Sequence, residues 1–485
     1  MDDLVADTEQ LLASARRIAD GHPLTAGIDA AAERLAGPLR VAVAGRAKAG
    51  KSTLVNAMVG ELIAPTDARE CTRIVTWYAD GVTYRVDGHL ADGTVRQLRF
   101  DRDDRALRVD LDGLSVEDVG QLRVTWPSAR LREISLVDTP GFDSMDEAVS
   151  GRTERFLAPG EDRPAPTDAV LYLLRHVHAA DVRFLEAFHD DDLGAANPVN
   201  AVGVLSRADE IGVGRSDALD SAARIAARWR TDRRMGALVQ TVVPVAGLLA
   251  EAAVTLRQAE FADLAAVTSN PGSVVDELLV SVDRFGRSSV DVGVPPERRQ
   301  ALLERLGLFG CRTAIDALRT GRATVAGELS DELLRASGFP ALRHELTTRF
   351  GHRAGLLKAR NAILTVRHVA DQLDDRALHG EVERVLAGAH EFAEMRVLNA
   401  IRRGELELDE KRLASARRLL GEDGLGIAER SGAGADAPPE SIRDALVDEL
   451  DRWQREVEHP LADPARRTAA STIVRTCEGL LAALG

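Results

Sequence analysis

The densest group of chemistry-bearing residues lies between positions 45 and 53, where Gly45-Arg46-Ala47-Lys48-Ala49-Gly50-Lys51-Ser52-Thr53 follows directly on the apolar run Val41-Ala42-Val43-Ala44. This is the G-x-x-x-x-G-K-S/T pattern, and each residue type in it suits a phosphate chain. Glycines let backbone N–H groups turn inward onto phosphate oxygens, and a helix starting there presents its positive end to the anion. Lys51 can reach the terminal phosphates, and Ser52 can ligate Mg²⁺. A second element, Leu136-Val137-Asp138-Thr139-Pro140-Gly141, again sets an acid at the end of an apolar run. Its carboxylate can hold a water of the same metal, and the Gly141 N–H can face a γ-phosphate.

A third element, Val204-Leu205-Ser206-Arg207-Ala208-Asp209, is similar to the Asn/Thr-Lys-x-Asp motif that reads guanine, with Ser206 and Arg207 in place of the usual first two residues. Asp209 can accept hydrogen bonds from guanine N1–H and from the exocyclic amine, whereas adenine offers nothing equivalent. Two charge-assisted bonds of about 1.5–3 kcal/mol each would favour GTP over ATP by about 10² or more. A P-loop ATPase is the competing reading. The stem of Arg207 can lie over the base plane, and Val245-Ala246-Gly247 can complete the base pocket through backbone N–H groups, Ala246 among them.

These residues need a sheet to hold them. Short apolar runs at Val41–Ala44, Ile74–Tyr78, Ile134–Val137, Ala169–Leu174, Val199–Leu205 and Thr241–Val245 predict strands alternating with helices. Asp80-Gly81, Asp87-Gly88, Asp92-Gly93 and Asp112-Gly113 predict tight antiparallel turns, hence an antiparallel extension of a mainly parallel α/β sheet. Before it, Leu4, Thr8, Leu11, Ala15 and Ile18 form a helical stripe ended at Gly21-His22-Pro23, with a second short helix to Leu35. Beyond about residue 255 the pattern is helical. Leu356, Ala359, Ile363, Val366, Ala370, Leu373 and Ala377 form one three-four seam, and the Gly- and Pro-rich stretch from Gly421 to Pro439 predicts an exposed loop. The expected division is 1–36 N-terminal helices, 37–255 nucleotide domain, and 256–485 an all-α helical-bundle neck and trunk.

Composition narrows the function. The 485 residues carry 62 Lys plus Arg against 77 Asp plus Glu, a formal charge of −15, so nucleic acid is not an expected partner. Cys71, Cys311 and Cys477 lie far apart without a Cys-x-x-Cys spacing, which suits a reducing compartment. No export signal and no run of 18 apolar residues is expected, so any membrane contact would be peripheral. His176-Val177-His178 has no third ligand at metal spacing and reads as a polar loop. Arg402, Arg403, Lys411, Arg412, Arg417 and Arg418 are balanced by Glu405, Glu407, Asp409, Glu410, Glu422 and Asp423, which predicts ion-paired helices more than a lipid patch. Leu425-Gly426-Ile427 is then the best local candidate for apolar insertion into a membrane.

The run from Gly45 through Leu62-Ile63-Ala64-Pro65-Thr66-Asp67-Ala68-Arg69-Glu70-Cys71-Thr72-Arg73, with Asp138-Thr139-Pro140-Gly141 and Ser206-Arg207-Ala208-Asp209 downstream, resembles the bacterial dynamin-like GTPases, most closely their isoniazid-inducible type. The long interval between Lys51 and Asp138 suits a dynamin-type G domain better than a small Ras-like one. The resemblance implies a GTPase that binds GTP and GDP with Mg²⁺, pairs through its G domains, and remodels a lipid membrane through a helical neck and trunk. A related dynamin-like partner and a cytoplasmic, peripheral position on the inner face of the cell membrane follow from the same likeness. Thr72 matches the family's switch threonine, a Mg²⁺ and γ-phosphate contact beside Ser52 and Asp138, with Thr66 as the other candidate.

Two positions depart from the family's pattern. Phe142 stands after Gly141 where Ras-like proteins carry a water-positioning glutamine, and Ala47 replaces the dynamin-type phosphate-loop glutamine. Catalysis then falls to Lys51, Thr72, the Gly141 N–H and Lys48. Lys48 would supply charge at the developing β–γ bridging oxygen where dynamins hold a monovalent cation; Arg46 is the alternative, and a Lys48 pointing into solvent is the bland reading. A soluble GTP-dependent protein-interaction switch without lipid contact is the competing function.

Overall fold

Two N-terminal helices, α1 (Asp2–Ile18) and α2 (Thr25–Ala36), precede a ten-stranded sheet and a long helical region. The computed structural model describes residues 2–65, 74–102, 107–141, 166–175, 181–182, 185, 200–422, 424–434, 436–460 and 462–484. The strands are β1 (Leu39–Gly45), β2 (Val75–Asp80), β3 (Arg85–Leu90), β4 (Val95–Arg102), β5 (Leu107–Asp110), β6 (Val119–Trp126), β7 (Ile134–Asp138), β8 (Ala169–Leu174), β9 (Ala201–Ser206) and β10 (Val242–Val245). Their order is β10-β9-β8-β1-β7-β2-β6-β3-β4-β5. Strands β10, β9, β8, β1 and β7 run parallel. β2 turns antiparallel to β7, β6 runs parallel to β2, and β3, β4 and β5 add three antiparallel pairs beyond it.

Strands β8 and β9 are buried along their whole length, which is why they read as unbroken apolar runs. Val41, Val43, Leu171, Leu173 and Val204 face α3 (Lys51–Val59), the N-terminal helices and the helix Ala354–Leu373. Ala42, Ala44, Val170, Tyr172 and Leu205 face the helices Ala218–Thr231 and Arg233–Leu238. Alternate residues therefore hold the sheet between two helical layers, with the carboxyl ends of β1, β7 and β9 opening on one edge. That edge is where ligands bind in open parallel sheets.

A buried polar knot ties the sheet to the helices around it. Asp168, just before β8, accepts from Arg34 Nε of α2 and from the Arg40 N–H of β1, both at 2.8 Å, and from Asn361 Nδ2 of the helix Ala354–Leu373 at 2.9 Å. Lys358 adds a bond to the Gly37 carbonyl at 2.9 Å. A second helical cluster runs from Gly247–Val254 to Ala326–Ala336, and a third contains the hairpin Pro439–Val457 and Pro464–Ala483.

Four expectations are corrected by the structure. Asp87-Gly88 is no turn; both residues sit inside β3 paired to β4 and β6, where Gly88 lets Leu98 approach. The seam from Leu356 to Ala377 is cut at Asp374, which adopts φ 48°, and Asp375 caps a new helix, Arg376–Gly388, through the Ala377 and Leu378 amides. Ile18 of the α1 stripe is 40% exposed. The stretch 421–439 contains the helix Ile427–Ser431, pinned by Arg430, which is buried and donates to the Leu419 carbonyl and to Glu394. Ile427 packs on the third cluster, which removes it as a free insertion tip.

Candidate nucleotide site

Gly45 ends β1 at φ 144°, and a Cβ there would lie 2.7 Å from the Leu173 carbonyl of β8, so the close strand pair admits glycine only. Lys48 turns back at φ 61° and Gly50 at φ 95°, after which α3 begins at Lys51. The chain thus wraps a loop around the helix's amino end. Lys51 is buried, with Nζ donating to the Gly45 carbonyl at 3.1 Å and the Arg46 carbonyl at 3.2 Å. Burial pushes its pKa down, and Asp138 opposes the shift.

Ser52 Oγ donates to Asp138 Oδ2 at 2.6 Å, bringing together the hydroxyl and the acid that sequence spacing proposed. Asp138 Oδ1 is buried with no hydrogen-bond partner among the described residues. Burial raises this carboxyl's pKa, while Lys51 and the Ser52 hydroxyl pull it back. A hard hydroxyl and carboxylate oxygen with one orphaned lone-pair site fit Mg²⁺, which takes few protein ligands and completes its shell with phosphate and water. Among the described residues no cluster of three or more His, Cys, Asp or Glu offers another metal cage. Gly141 closes on the loop: a Cβ there would stand 2.6 Å from Ala47 Cα and 2.9 Å from Lys51 Nζ.

The third motif reaches the same edge. Arg207, at φ 53°, donates to the Lys48 carbonyl at 2.8 Å and to Glu210 Oε1 at 2.8 Å, so the loop after β9 is bolted to the phosphate loop. Ser206 Oγ bonds the Leu174 carbonyl at 3.3 Å. A cavity of about 170 Å³ lies between them, lined on one side by Ala49, Gly50 and Thr53 and on the other by Ser206, Arg207 and Asp209. Asp209 is 8% exposed, and burial pushes its carboxyl up to about 6; Glu210 adds to the rise, while a backbone N–H and Arg207 oppose it.

Ala246 departs from expectation. Its N–H is used by the Ser337 carbonyl at 2.8 Å, and the cavity is lined instead by Val245, Gly247 and Leu248. Lys48 and Ala47 are exposed and Arg46 is half-buried. Thr72, Thr66, Phe142 and His176-Val177-His178 lie outside the described residues.

Sequence reading missed the clamp behind the site. Asn56 of α3 is fully buried; its Nδ2 donates to Glu251 Oε1 at 2.6 Å, and its Oδ1 accepts from the Ile63 and Ala64 amides at 2.9 and 2.6 Å. This fixes the chain entering the segment that holds Thr66 and Thr72 to the helix that begins at the base cavity. No sequence signal marks Asn56, because its carboxylate partner Glu251 lies 195 positions away.

A profile of the Dynamin family matches residues 41–180. The isoniazid-induced protein IniC of Mycobacterium tuberculosis is 39% identical over 458 residues, spanning 94% of this chain and 92% of that protein. A bacterial dynamin-like protein of Nostoc punctiforme is 31% identical over 121 residues, 23% of this chain and 18% of its own. Among solved structures, an oligomerised bacterial dynamin pair, described as a mechanism for long-range sensing and tethering of membranes, aligns over 98% of this chain and 90% of its own with TM-score 0.33 and 10% identity.

Proposed function

The chain belongs to the bacterial dynamin-like family of the IniC type, and on that premise we propose that it binds GTP with Mg²⁺, hydrolyses it to GDP and phosphate, and couples the step to pairing of its G domains on a membrane surface. One observation supports the guanine site above all others: the cavity between the glycine loop and Asp209, closed by the Arg207 bond to the Lys48 carbonyl.

In this reading the Lys51 ammonium turns its N–H donors from the Gly45 and Arg46 carbonyls to the β- and γ-phosphates. Loop amides between Arg46 and Thr53 hold the phosphate chain. Ser52, Asp138 and Thr72 would hold Mg²⁺, which when bound would neutralise charge developing on the phosphate oxygens. Gly141 offers its N–H to the γ-phosphate. Asp209 accepts from guanine N1–H and the exocyclic amine, with Ser206 and Arg207 shaping the base slot and Gly247 taking the place first given to Ala246. Lys48 is exposed in the single chain, so its charge, or that of a monovalent cation, is recruited to the bridging oxygen when two heads meet. Turnover per molecule should therefore rise with protein concentration from nanomolar to micromolar.

The deciding experiment is nucleotide competition with the Asp209→Asn variant. An amide offers both a donor and an acceptor, so preference should pass from GTP to xanthosine triphosphate by about 10². Unchanged guanine preference removes Asp209 from the base slot.

A second reading, a GTP-dependent switch that grips a protein and never touches lipid, is favoured by the trunk surface. Arg402, Arg412 and Arg418 are paired to Glu422, Glu456 and Glu449 at 3.1, 2.9 and 2.7 Å, and Ile427 is packed inward. Among the described residues no helix is long and apolar enough to cross a membrane.

A further inference from the structure

The helix Pro296–Arg319, far beyond the nucleotide fold in sequence, is broken at Gly307, whose φ of 67° and ψ of 173° belong to a region that essentially only glycine occupies. The break falls beside the base slot: a Cβ on Gly307 would lie 3.6 Å from Asp209 Oδ2. At that distance a methyl group meets ordinary contact, so any penalty of substitution is conformational and not a clash. Glycine takes up that backbone geometry freely, whereas any side chain would have to give it up.

Two further contacts of the same helix converge there. A Cβ on Gly310 would stand 2.8 Å from Leu249 Cδ1, so the helix presses against Gly247–Val254, whose first residues line the cavity. Arg312 donates to the Gly214 carbonyl and also to the Leu279 carbonyl at 2.6 Å. Gly212, Val213 and Gly214 have φ of 65°, 64° and 67°, a strained run for a β-branched residue, and it directly follows the Asp209–Glu210 turn. Arg312 is what ties that run to the helical region.

We propose that the Gly307 break is a positioning device for base recognition: the kinked helix Pro296–Arg319 forms the rear wall that holds the Asp209 carboxylate and the 212–214 turn in the geometry guanine requires. This rests on the guanine reading above. Gly307 is a positioning residue, acting through Asp209. The same helix also belongs to the second helical cluster.

The test uses the full chain and its Gly307→Ala variant, titrated with GTP, with inosine triphosphate, which lacks the exocyclic amine, and with inorganic triphosphate. The wild type should prefer GTP over inosine triphosphate by about tenfold or more, the worth of one charge-assisted bond. In Gly307→Ala that ratio should fall to about twofold or less while inorganic triphosphate binds as before. A folded variant that keeps the wild-type ratio overturns the proposal, since a merely structural glycine would weaken both nucleotides alike. If the wild type and Asp209→Asn show the same ratio as each other, it is the guanine reading that fails. Should Gly307→Ala not fold, hydrogen exchange on the wild type decides: GDP should slow amides 307–312, and exchange indifferent to GDP overturns the proposal.

Discussion

The buried Asp209 carboxyl lies above its ordinary range, and that shift has opposite consequences for binding and for stability. The Asp209 carboxyl stands at about 6 because burial disfavours its charge. Guanine donates two protons toward it, so the bound form favours the anion and lowers that value. GTP affinity should then be flat above pH 7 and fall by up to about tenfold per unit as pH drops through 6. Asp209→Asn should flatten the profile, and fluorescent-GTP titrations between pH 5 and 8 would show it. For the unliganded fold the sign is reversed: an acid raised above its ordinary 3.8 contributes stability below that value and loses it as pH rises through about 6. Lys51→Ala has a different signature. It removes the ammonium now bridging the Gly45 and Arg46 carbonyls, so affinity for GTP, GDP and inorganic triphosphate should fall together by about tenfold or more, checked by calorimetry.

At the scale of elements, the knot at Asp168 predicts a large stability effect far from the nucleotide. Arg34 and Asp168 lie 134 positions apart, and their side chains are 8% and 0% exposed. Asp168→Ala would remove the buried carboxylate facing Arg34 and unhook Asn361 and the Arg40 amide, a loss of up to about 3–5 kcal/mol. Chemical denaturation of the full chain measures it; a loss under about 1 kcal/mol would mean the knot behaves as an exposed pair. No local pattern announces such a contact, because its partners come from α2, β1, β8 and the helix Ala354–Leu373. What the sequence makes legible is what repeats or alternates: the buried parallel strands, the phosphate loop at the end of β1, the acid at the end of β7 and the Ser206–Asp209 motif all lie where spacing puts them. The failures share one cause. Asp87-Gly88 looks like a turn until β4 and β6 pair with it, Ala246 looks available until Ser337 takes its N–H, and Gly307 inside a helical run is indistinguishable from any tolerated glycine until its neighbour is Asp209. Tertiary partners decide each of these.

For the whole molecule the open choice is between a lipid surface and a protein partner, and charge makes it testable. A formal charge of −15 repels anionic vesicles on average, so adsorption needs either a local basic patch or apolar insertion. Arg402, Arg412 and Arg418 are held in ion pairs with Glu422, Glu456 and Glu449, which argues against the first route through that face. If the membrane reading holds, flotation with anionic vesicles should increase with a nonhydrolysable GTP analogue and survive a rise from 0.05 to about 0.5 M salt, where exposed charges are screened beyond about 4–5 Å. Substituting Leu425 and Ile427 by serine should lower thermal stability without reducing flotation, because Ile427 already packs against the third helical cluster. Flotation that collapses with salt would assign adsorption to charge after all. A protein that stays at the bottom of the gradient with every nucleotide, yet still turns over GTP faster at higher concentration, would be the protein-gripping switch, with head pairing retained and lipid removed from its cycle.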